Sequence, residues 1–342
     1  MQGGKIYGEG VKGITMDISC IHGDKHTLCK KIKKNKVSSI NLISFHNKHK
    51  IKDIDAFVDY LSKLDDYVIK IFKSDKVSDI FNFFSITNSN FTNEMTGIKQ
   101  IHRIYSKNLS KYTTIQKLNY HGFDFIGLEL IFENDEVVHG TISRKCSYQV
   151  DKYKFKNEIE FKIFISQTIE SLSIMQSHNY AHIDLKPDNI IYCDSNKSFK
   201  IIDWELLRPL SWRKSKQYFA NPTHSAPLAM FIYGNKPYDK IYNSNKSKNP
   251  TWHKSTEFNQ ILDTYKEQLE IIKKNKTSRQ LFHHYKYHFD MFALAMSFGH
   301  LLHKNQLNFK EFMPFILKMT SLIDSERFIN ASEALTWFKK TS

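Results

Sequence analysis

The chain has 342 residues, of which 41% are hydrophobic and 14% aromatic, so it can build a sizeable core and disorder is not expected. It carries 50 Lys and Arg against 35 Asp and Glu, a net charge of +15, which favours acidic partners such as nucleotide phosphates, nucleic acid or acidic protein surfaces. Much of this charge lies in Lys- and Asn-rich stretches. A solvated surface is therefore the preferred interpretation, and nucleic-acid binding is kept as an alternative.

The cysteines and the hydropathy pattern indicate the compartment. Cys20, Cys29, Cys146 and Cys193 form no CxxC pair, which argues against a zinc site or a disulfide framework and fits a reducing compartment. The sequence starts without an apolar signal region, and no apolar run reaches the ~18 residues that a membrane helix needs. We therefore expect a soluble, cytoplasmic protein without a membrane span.

The first third of the chain is predicted to be rich in strands. Alternating apolar residues predict a strand over residues 14–19, and a β-branched and aromatic run predicts another over residues 67–72. The polar residues 20–52 are predicted to form an extended loop, and residues 54–64 have helical spacing. Further elements are predicted at 91–105 (helix), 114–121 (strand) and 124–132 (strand).

After about residue 134 the pattern becomes mainly helical. Residues 158–178 predict a helix of about twenty residues. Its buried stripe is predicted to consist of Phe161, Phe164, Ile165, Ile169, Leu172 and Met175. Two short strands, at 190–192 and 199–202, bracket a turn, and everything beyond residue 255 has a helical pattern. The chain is thus expected to have an α+β fold.

The strongest chemical signal is the segment His182-Ile-Asp-Leu-Lys-Pro-Asp-Asn189, between the long helix and a strand. Phosphoryl transfer needs a carboxylate that accepts the proton of the acceptor hydroxyl, a cation near the transferred phosphate and an oxygen ligand for Mg²⁺. Asp184, Lys186 and Asn189 supply these three groups at short spacing. The sequence therefore predicts a phosphotransferase.

This segment resembles the HRDLKPxN catalytic loop of the eukaryotic-type protein kinase family. The resemblance implies a two-lobed fold with a small β-rich N-lobe and a larger helical C-lobe, ATP and Mg²⁺ as cofactors (Mn²⁺ as an alternative), and a protein substrate. It implies that Asp184 is the catalytic base, Lys186 the phosphate-facing lysine and Asn189 a metal ligand. A lysine two places after the aspartate resembles the Ser/Thr branch of the family.

Asp203 follows a predicted strand in the segment Ile201-Ile-Asp-Trp-Glu205. The position matches the DFG motif of the family, so the resemblance implies that Asp203 binds Mg²⁺ and that Trp204 takes the packing role of the motif's Phe. Glu205 departs from the Gly of the motif.

The ATP-binding residues are expected in the first third of the chain. The sequence from Gly8 to Gly13 matches GxGxxG and precedes a strand, as a kinase glycine loop does. Lys70 stands in a run that resembles the VAIK strand, with Glu94 as the proposed helix partner; an edge-strand lysine is the alternative. The ATP-binding residues that the resemblance implies are Tyr7, Gly8, Glu9, Gly10, Val11, Lys12, Gly13, Ile14, Thr15, Val68, Lys70 and Glu94.

The C-terminal part extends the resemblance. Asp290 opens a predicted buried helix, and the corresponding kinase aspartate hydrogen-bonds the backbone of the catalytic loop. Asn330 and Glu333 are a predicted capping pair of the last helix. The segment Ser225-Ala-Pro-Leu228 stands where APE is expected, so Arg327 is expected to lack its usual glutamate partner.

The predicted domain covers residues 1–342, with an N-lobe at about 1–132 and a C-lobe at about 135–342. Insertions are predicted at about 20–65 and 235–285. Two alternatives stay open: a small-molecule kinase that resembles the aminoglycoside or choline kinases, and a pseudokinase that acts as a binding module. The composition also resembles that of kinases encoded by large DNA viruses, which would place the protein in host cytoplasm or the virion.

Overall fold

The structure is a computed structural model that describes only part of the chain. The described residues are 6–9, 13–17, 37–43, 48–51, 53, 55, 67–72, 96, 126–133, 137–194, 197–211, 228–229, 232 and 255–341. They belong to two compact units. The first unit comprises residues 1–103 and 121–146, and the second comprises residues 104–120 and 147–342.

The first unit is built around a seven-stranded sheet in which each described neighbouring pair is antiparallel. The strands in chain order are β1 (Ile6–Glu9), β2 (Gly13–Asp17), β3 (Val37–Ile43), β4 (Lys48–Ile51), β5 (Tyr67–Phe72), β6 (Ile126–Phe132) and β7 (Val137–Arg144). Their order across the sheet is β1-β2-β5-β7-β6-β3-β4. The core of this unit contains the fully buried Ile40 of β3 and Ile69 of β5, so one predicted strand and a part of the chain predicted as loop both contribute to it.

The loop predicted over residues 20–52 is wrong at β3 and β4. β3 pairs along its length with β6, where Ile40 lies opposite Leu130 and Leu42 opposite Leu128. The Ser, Asn and Lys residues around β3 hide its strand character, because strand preference depends mostly on packing against neighbouring strands. The buried faces of Ile40 and Leu130, which are 0% and 3% exposed, supply that packing.

The second unit contains five short strands and six described helices. The strands are β8 (Tyr148–Gln149), β9 (Tyr180–Ala181), β10 (Ile190–Cys193), β11 (Ser198–Ile201) and β12 (Arg208–Pro209). The helices are α1 (Glu158–Ser177), α2 (Thr256–Ile272), α3 (Ser278–Tyr285), α4 (His288–Asn305), α5 (Phe309–Thr320) and α6 (Ala331–Thr341). β10 lies between β11 and β8, and β12 pairs with β9. The expected change from strands to helices along the chain is confirmed.

Two helices carry the core of the second unit. Every residue of the stripe predicted on α1 is fully buried, and Asn157 caps the helix by accepting a hydrogen bond from the N–H of Glu160 at 2.9 Å. α4 is buried on almost all sides, as its continuous apolar sequence predicts. A cluster of aromatic rings fills the space around α1; Phe161, for example, packs edge-on against Phe312 at 5.2 Å. These helices form the rigid base from which the neighbouring loops project.

Several other predictions can be compared with the described residues. Asp55 and Thr96 are helical, but the rest of the helices predicted over 54–64 and 91–105 lies outside the described residues, as does the strand predicted over 114–121. Cys146 and Cys193 are disulfide-bonded, so the expectation that the chain lacks disulfides is wrong for these two residues. No helix within the described ranges is long and apolar enough to cross a membrane.

Candidate active site

The predicted catalytic loop lies in the second unit, between β9 and β10. Residues 187–189 form a 3₁₀ turn that Pro187 opens, and Asn189 leads directly into β10. The loop thus begins at one short strand and ends at another. Most of its side chains are buried, among them His182, Asp184 and Asn189 at 0%, 8% and 5% exposure. Buried polar groups must be hydrogen-bonded, so the partners of these residues define the site.

Asp290, in the first turn of α4, anchors the start of the loop. Its Oδ2 accepts a hydrogen bond from the backbone N–H of His182 at 2.7 Å, and its Oδ1 accepts one from the N–H of Ile183 at 2.9 Å. Burial raises the pKa of Asp290, while His182 and these two hydrogen bonds lower it in part. The predicted contact between Asp290 and the loop backbone is confirmed. The contact also holds Ile183 at φ 75°, which a β-branched residue adopts only under strain.

His182 and Asn189 tie the loop to β11. The Nε2 of His182 lies 2.9 Å from the carbonyl oxygen of Ile202, so this nitrogen carries a proton and donates it to the carbonyl. In the same region the N–H of Ile202 donates to the carbonyl oxygen of Asn189 at 2.9 Å. The hairpin of β10 and β11 therefore places Asn189 beside Ile202, one residue from Asp203.

The two carboxylate oxygens of Asp184 differ in their hydrogen bonds to the described residues. Its Oδ2 accepts hydrogen bonds from Lys186 Nζ at 2.7 Å and from Asn189 Nδ2 at 3.0 Å. Asn189 Nδ2 also donates to the backbone carbonyl of Asp184 at 2.8 Å, which fixes the backbone of the loop. Oδ1 is buried and has no hydrogen-bond partner among the residues that the structure describes. Because an unpaired buried carboxylate oxygen is costly, Oδ1 is open to accept a hydrogen bond from a further donor.

Asp203 follows β11 directly and adopts the left-handed conformation, with φ 67° and ψ 63°. Trp204, only 3% exposed, packs edge-on against the ring of His182, with the ring centroids 5.0 Å apart. The left-handed conformation of Asp203 turns the backbone between β11 and Trp204, whose indole is buried. Trp204 takes part in fixing the position of His182, and through it the catalytic loop.

The residues proposed as metal ligands have the right chemistry for Mg²⁺. No group of three or more His, Cys, Asp or Glu side chains that could hold a metal occurs in the described part of the chain. Mg²⁺ does not need such a group, because it is commonly held by one or two protein oxygens together with substrate phosphates and water. Asn189 and Asp203 supply an amide and a carboxylate group from neighbouring ends of one hairpin, so the donor set fits this ion.

The nucleotide-binding candidates lie in the first unit. β1 and β2 form an antiparallel hairpin in which Gly8 lies opposite Thr15, as a glycine loop followed by a strand requires. Gly10, Val11 and Lys12, which come between these strands in the sequence, lie outside the described residues, as does Glu94. The ends of the hairpin contain the other candidates of this loop: Tyr7, Gly8 and Glu9 in β1, and Gly13, Ile14 and Thr15 in β2.

Lys70 occupies an interior strand of the sheet. β5 lies between β2 and β7, and the backbone of Lys70 is opposite Thr15 on one side and Thr141 on the other. The alternative of an edge-strand lysine is therefore wrong. Val68 lies two residues earlier in the same strand and is half-buried.

Arg327, which is expected to lack the glutamate partner usual in the family, pairs with an aspartate. Its Nε donates to Asp324 Oδ1 at 2.9 Å, and its guanidinium lies over the ring of Tyr285, 4.8 Å from the centroid. The sequence reasoning missed this local pair. It also assigned no role to the His182 ring, whose hydrogen bond links the catalytic loop to the residue before Asp203. Only the spacing of His182 before Asp184 in the motif could have pointed to it.

Comparison with known proteins identifies the family of the chain. A family model described as Protein kinase domain matches residues 60–244, more than half of the chain. The matched range contains Lys70, Asp184, Asn189 and Asp203. The chain therefore belongs to the protein kinase family, and its strand-rich and helical units are the small and large lobes of the kinase fold.

Two curated relatives match part of the chain. The chain is 29% identical over 128 residues to a protein named Cyclin-dependent kinase F-3 of Oryza sativa subsp. japonica, covering 35% of this chain and 29% of that protein. It is 29% identical over 134 residues to a Titin homolog of Caenorhabditis elegans, covering 38% of this chain and 1% of that protein. The chain thus spans less than a third of the length of either relative.

Proposed function

We propose that the chain is an ATP- and Mg²⁺-dependent serine/threonine protein kinase. The observation that carries the proposal is the state of Asp184: Oδ2 is held by Lys186 and Asn189, while Oδ1 has no hydrogen-bond partner among the described residues. A carboxylate held by one oxygen and open at the other suits a general base with a fixed orientation. Lys186, two residues after the aspartate, supports Ser/Thr as the acceptor class.

In the proposed reaction, Asp184 Oδ1 orients the substrate hydroxyl and accepts its proton. The hydroxyl oxygen forms a bond to the γ-phosphorus, and the bond from this phosphorus to the β–γ bridging oxygen breaks, which leaves ADP. Lys186, whose ammonium already lies at the Asp184 carboxylate, would stabilise negative charge on the transferred phosphoryl group. Bound Mg²⁺ would neutralise phosphate charge, with Asn189 and Asp203 as its protein ligands.

The nucleotide would be held by the residues of the first unit. The β1–β2 hairpin and the residues at its tip are proposed to cover the phosphates, with Lys70 as the cation for the α- and β-phosphates. The interior position of Lys70 in the sheet supports this role, because it gives the lysine a fixed backbone on both sides. Glu94 is proposed as its ion-pair partner, and Mn²⁺ is proposed as an alternative metal.

The test is incubation of the purified chain with γ-labelled ATP, Mg²⁺ or Mn²⁺ and a mixture of protein substrates. We expect label on Ser and Thr of protein, and we expect Asp184→Asn to lower turnover by about 10²-fold or more while the fold and nucleotide binding persist. Asp194→Asn, the same chemical change at an exposed turn residue, is the matched control and should keep turnover within about twofold.

Each other outcome of this experiment identifies a different function. Label that appears only on an aminoglycoside or choline acceptor would support the small-molecule kinase. Nucleotide binding that depends on metal but never leads to transfer would support the pseudokinase. An Asp184→Asn variant that keeps more than about a tenth of the wild-type turnover would refute the assigned base.

A further inference from the structure

A basic groove lies on the second unit, away from the catalytic loop in the sequence and built from other elements. Its volume is about 530 Å³, and it is formed by α3 and the residues just before this helix. The lining residues are Lys276, Arg279, Gln280, His283 and His284. None of them is acidic, and none has a role in the proposed phosphoryl transfer. We refer to this feature as the α3 groove.

The fold holds the side chains of the α3 groove on a fixed surface. α3 is anchored from below by Leu281, Phe282 and Tyr285, which are at most 1% exposed. Its first turn is closed by a reciprocal cap, in which the side chain of Thr277 accepts from the N–H of Gln280 while the Gln280 side chain accepts from the N–H of Thr277. The core contacts and the cap together fix the orientation of α3, so the side chains on its exposed face project from a fixed backbone.

Asp324 and Glu270 are already paired with basic side chains, and one of these, His284, lines the α3 groove. Asp324 accepts from His284 Nε2 at 2.8 Å and from Arg327 Nε at 2.9 Å. Burial raises the pKa of Asp324, but these hydrogen bonds outweigh that effect and hold the pKa below its ordinary value. Glu270, on α2, forms an ion pair with Lys273. These two carboxylates thus form no ion pair with Lys276 or Arg279.

Lys276 and Arg279 are the two permanent cations of the α3 groove. Neither has a carboxylate partner within the described ranges; the contact found for Lys276 is with the ring of Tyr285, 5.7 Å from Nζ to the centroid. Arg279 stands in the first turn of α3, which contains no acidic residue. The start of a helix favours acids over bases, so Arg279 does not stabilise α3 through the helix dipole. The position of the two cations fits the binding of an external anion.

We propose that the α3 groove binds a phosphoserine or phosphothreonine side chain in a protein segment that is already phosphorylated. A phosphate monoester offers close to two negative charges and three acceptor oxygens. The guanidinium fork of Arg279 and the ammonium of Lys276 match this group, and the amide of Gln280 adds a further polar contact. As the groove is on the unit that carries Asp184, the bound segment would belong to a protein substrate. Only this last step depends on the proposed kinase function.

The shape of the α3 groove favours a phosphorylated peptide over nucleic acid. Single-stranded nucleic acid requires a long basic track with exposed aromatic rings on which bases stack. Here the two cations lie three residues apart, and the rings of Phe282 and Tyr285 are buried below the helix. A volume of about 530 Å³ suits one modified side chain and its neighbours.

The experiment measures binding to the full chain without ATP, so its result does not depend on catalysis. The probes are a short fluorescent peptide with one central phosphoserine and the same peptide with serine, followed by fluorescence anisotropy at about 0.15 M salt. The phosphopeptide should bind at least tenfold more tightly, and Lys276→Ala with Arg279→Ala should weaken it by about tenfold or more. Lys310→Ala with Lys340→Ala, which removes two exposed lysines of α5 and α6, should change the affinity by less than about twofold.

The single variant Arg279→Glu supports the result, because reversal of one charge should abolish the preference for the phosphopeptide even if the double variant unfolds. Equal affinity for the two peptides, or an unchanged affinity in the groove variants, would overturn the proposal.

Displacement of the peptide by an equal concentration of inorganic phosphate would show a site for free anions. A single-stranded DNA probe that binds more tightly than the phosphopeptide, and is lost in the same variants, would show a nucleic-acid site. If binding is as expected but no transfer is found, the kinase function fails and the groove assignment stands.

Discussion

The backbone N–H of Ile183 donates to Oδ1 of Asp290 at 2.9 Å, and this contact holds a β-branched residue in the left-handed conformation at φ 75°. The strain lies directly before Asp184. A non-glycine residue in this conformation costs on the order of 1–2 kcal/mol. The buried carboxylate of Asp290 offsets that cost, since it accepts two backbone donors at once.

Asp290→Asn is therefore expected to damage both stability and activity. The amide can accept only one of the two N–H donors, and its own NH₂ group faces the other. We expect the free energy of unfolding to fall by about 1–3 kcal/mol and turnover to fall by about 10²-fold, because Asp184 loses its fixed position. Urea unfolding and a protein kinase assay measure the two effects. Asp263→Asn, on the exposed surface of α2, is the control, and equal stability of the two variants would contradict the role of Asp290.

Removal of the metal or of its proposed ligand should abolish transfer. Asp203→Asn is a sharp test, because Asn also tolerates the left-handed conformation that Asp203 adopts. The variant should fold normally but lose about 10²-fold or more in turnover, since the amide is a weaker ligand for Mg²⁺ than a carboxylate. A chelator should abolish wild-type activity, and added Mg²⁺ or Mn²⁺ should restore it. A Mg²⁺ titration identical in the variant and the wild type would mean that Asp203 is not a ligand.

Because of Asp151, we expect the free energy of unfolding of the second unit to decrease at acid pH. The hydrogen bond from His300, at 3.2 Å, and the ammonium of Lys304, at 3.0 Å, lower the pKa of Asp151 to about 2, although partial burial acts in the opposite direction. A lowered pKa contributes stability that is fully present above the unfolded value of 3.8 and is lost as the pH falls toward 2. The contribution is at most about 2 kcal/mol, because the side chain is partly exposed.

The expected result is that the wild type loses about 1–2 kcal/mol more than Asp151→Asn in free energy of unfolding between pH 5.5 and pH 2.5. Urea unfolding at both pH values measures this difference, which cancels the effect of other acids. Asp263→Asn should follow the wild type. If wild type and Asp151→Asn lose the same free energy, Asp151 contributes nothing to the pH dependence.

The clustering of Asp184, Lys186 and Asn189 could be predicted from the sequence, because the three residues lie within one short segment. Their contacts need only local backbone geometry. The buried stripe of α1 could also be predicted from the sequence, since helical spacing alone brings its apolar residues to one face. The role of Asp290 required the family resemblance, because 107 residues separate it from Ile183.

Other features depend on tertiary contacts that no local pattern reveals. β3 is a strand because β6 pairs with it, and the Lys- and Asn-rich sequence on either side of β3 hides this. Arg327 pairs with Asp324 rather than with a distant glutamate. The strained conformation of Ile183 could not be read from its type, since isoleucine normally avoids positive φ. It is a consequence of the hydrogen bonds to Asp290.

Ile183 stands at the position of the arginine in the HRDLKPxN motif that this segment resembles. It is 7% exposed and packs with Ala181 and Leu210, with Leu206 and Tyr287 partly buried against the same cluster. An isoleucine in an apolar cluster cannot pair with a phosphate on the activation loop. The coupling by which a phosphorylated loop orders the catalytic residues therefore has no cation at this position.

We expect the enzyme to be active once folded, without phosphorylation of the segment after Leu206. Ser211 is a described candidate acceptor there; Ser215 and Tyr218 lie outside the described residues. Phosphatase treatment of the purified protein should lower turnover by less than about threefold, which is under ~1 kcal/mol in the activation barrier. A mock-treated sample and mass spectrometry of the segment are the controls. A drop in turnover of about a hundredfold that autophosphorylation restores would show that another cation replaces the arginine. The lysines and arginines at 208–216 would then be the first residues to substitute, because they are the cations nearest to these acceptors in the sequence.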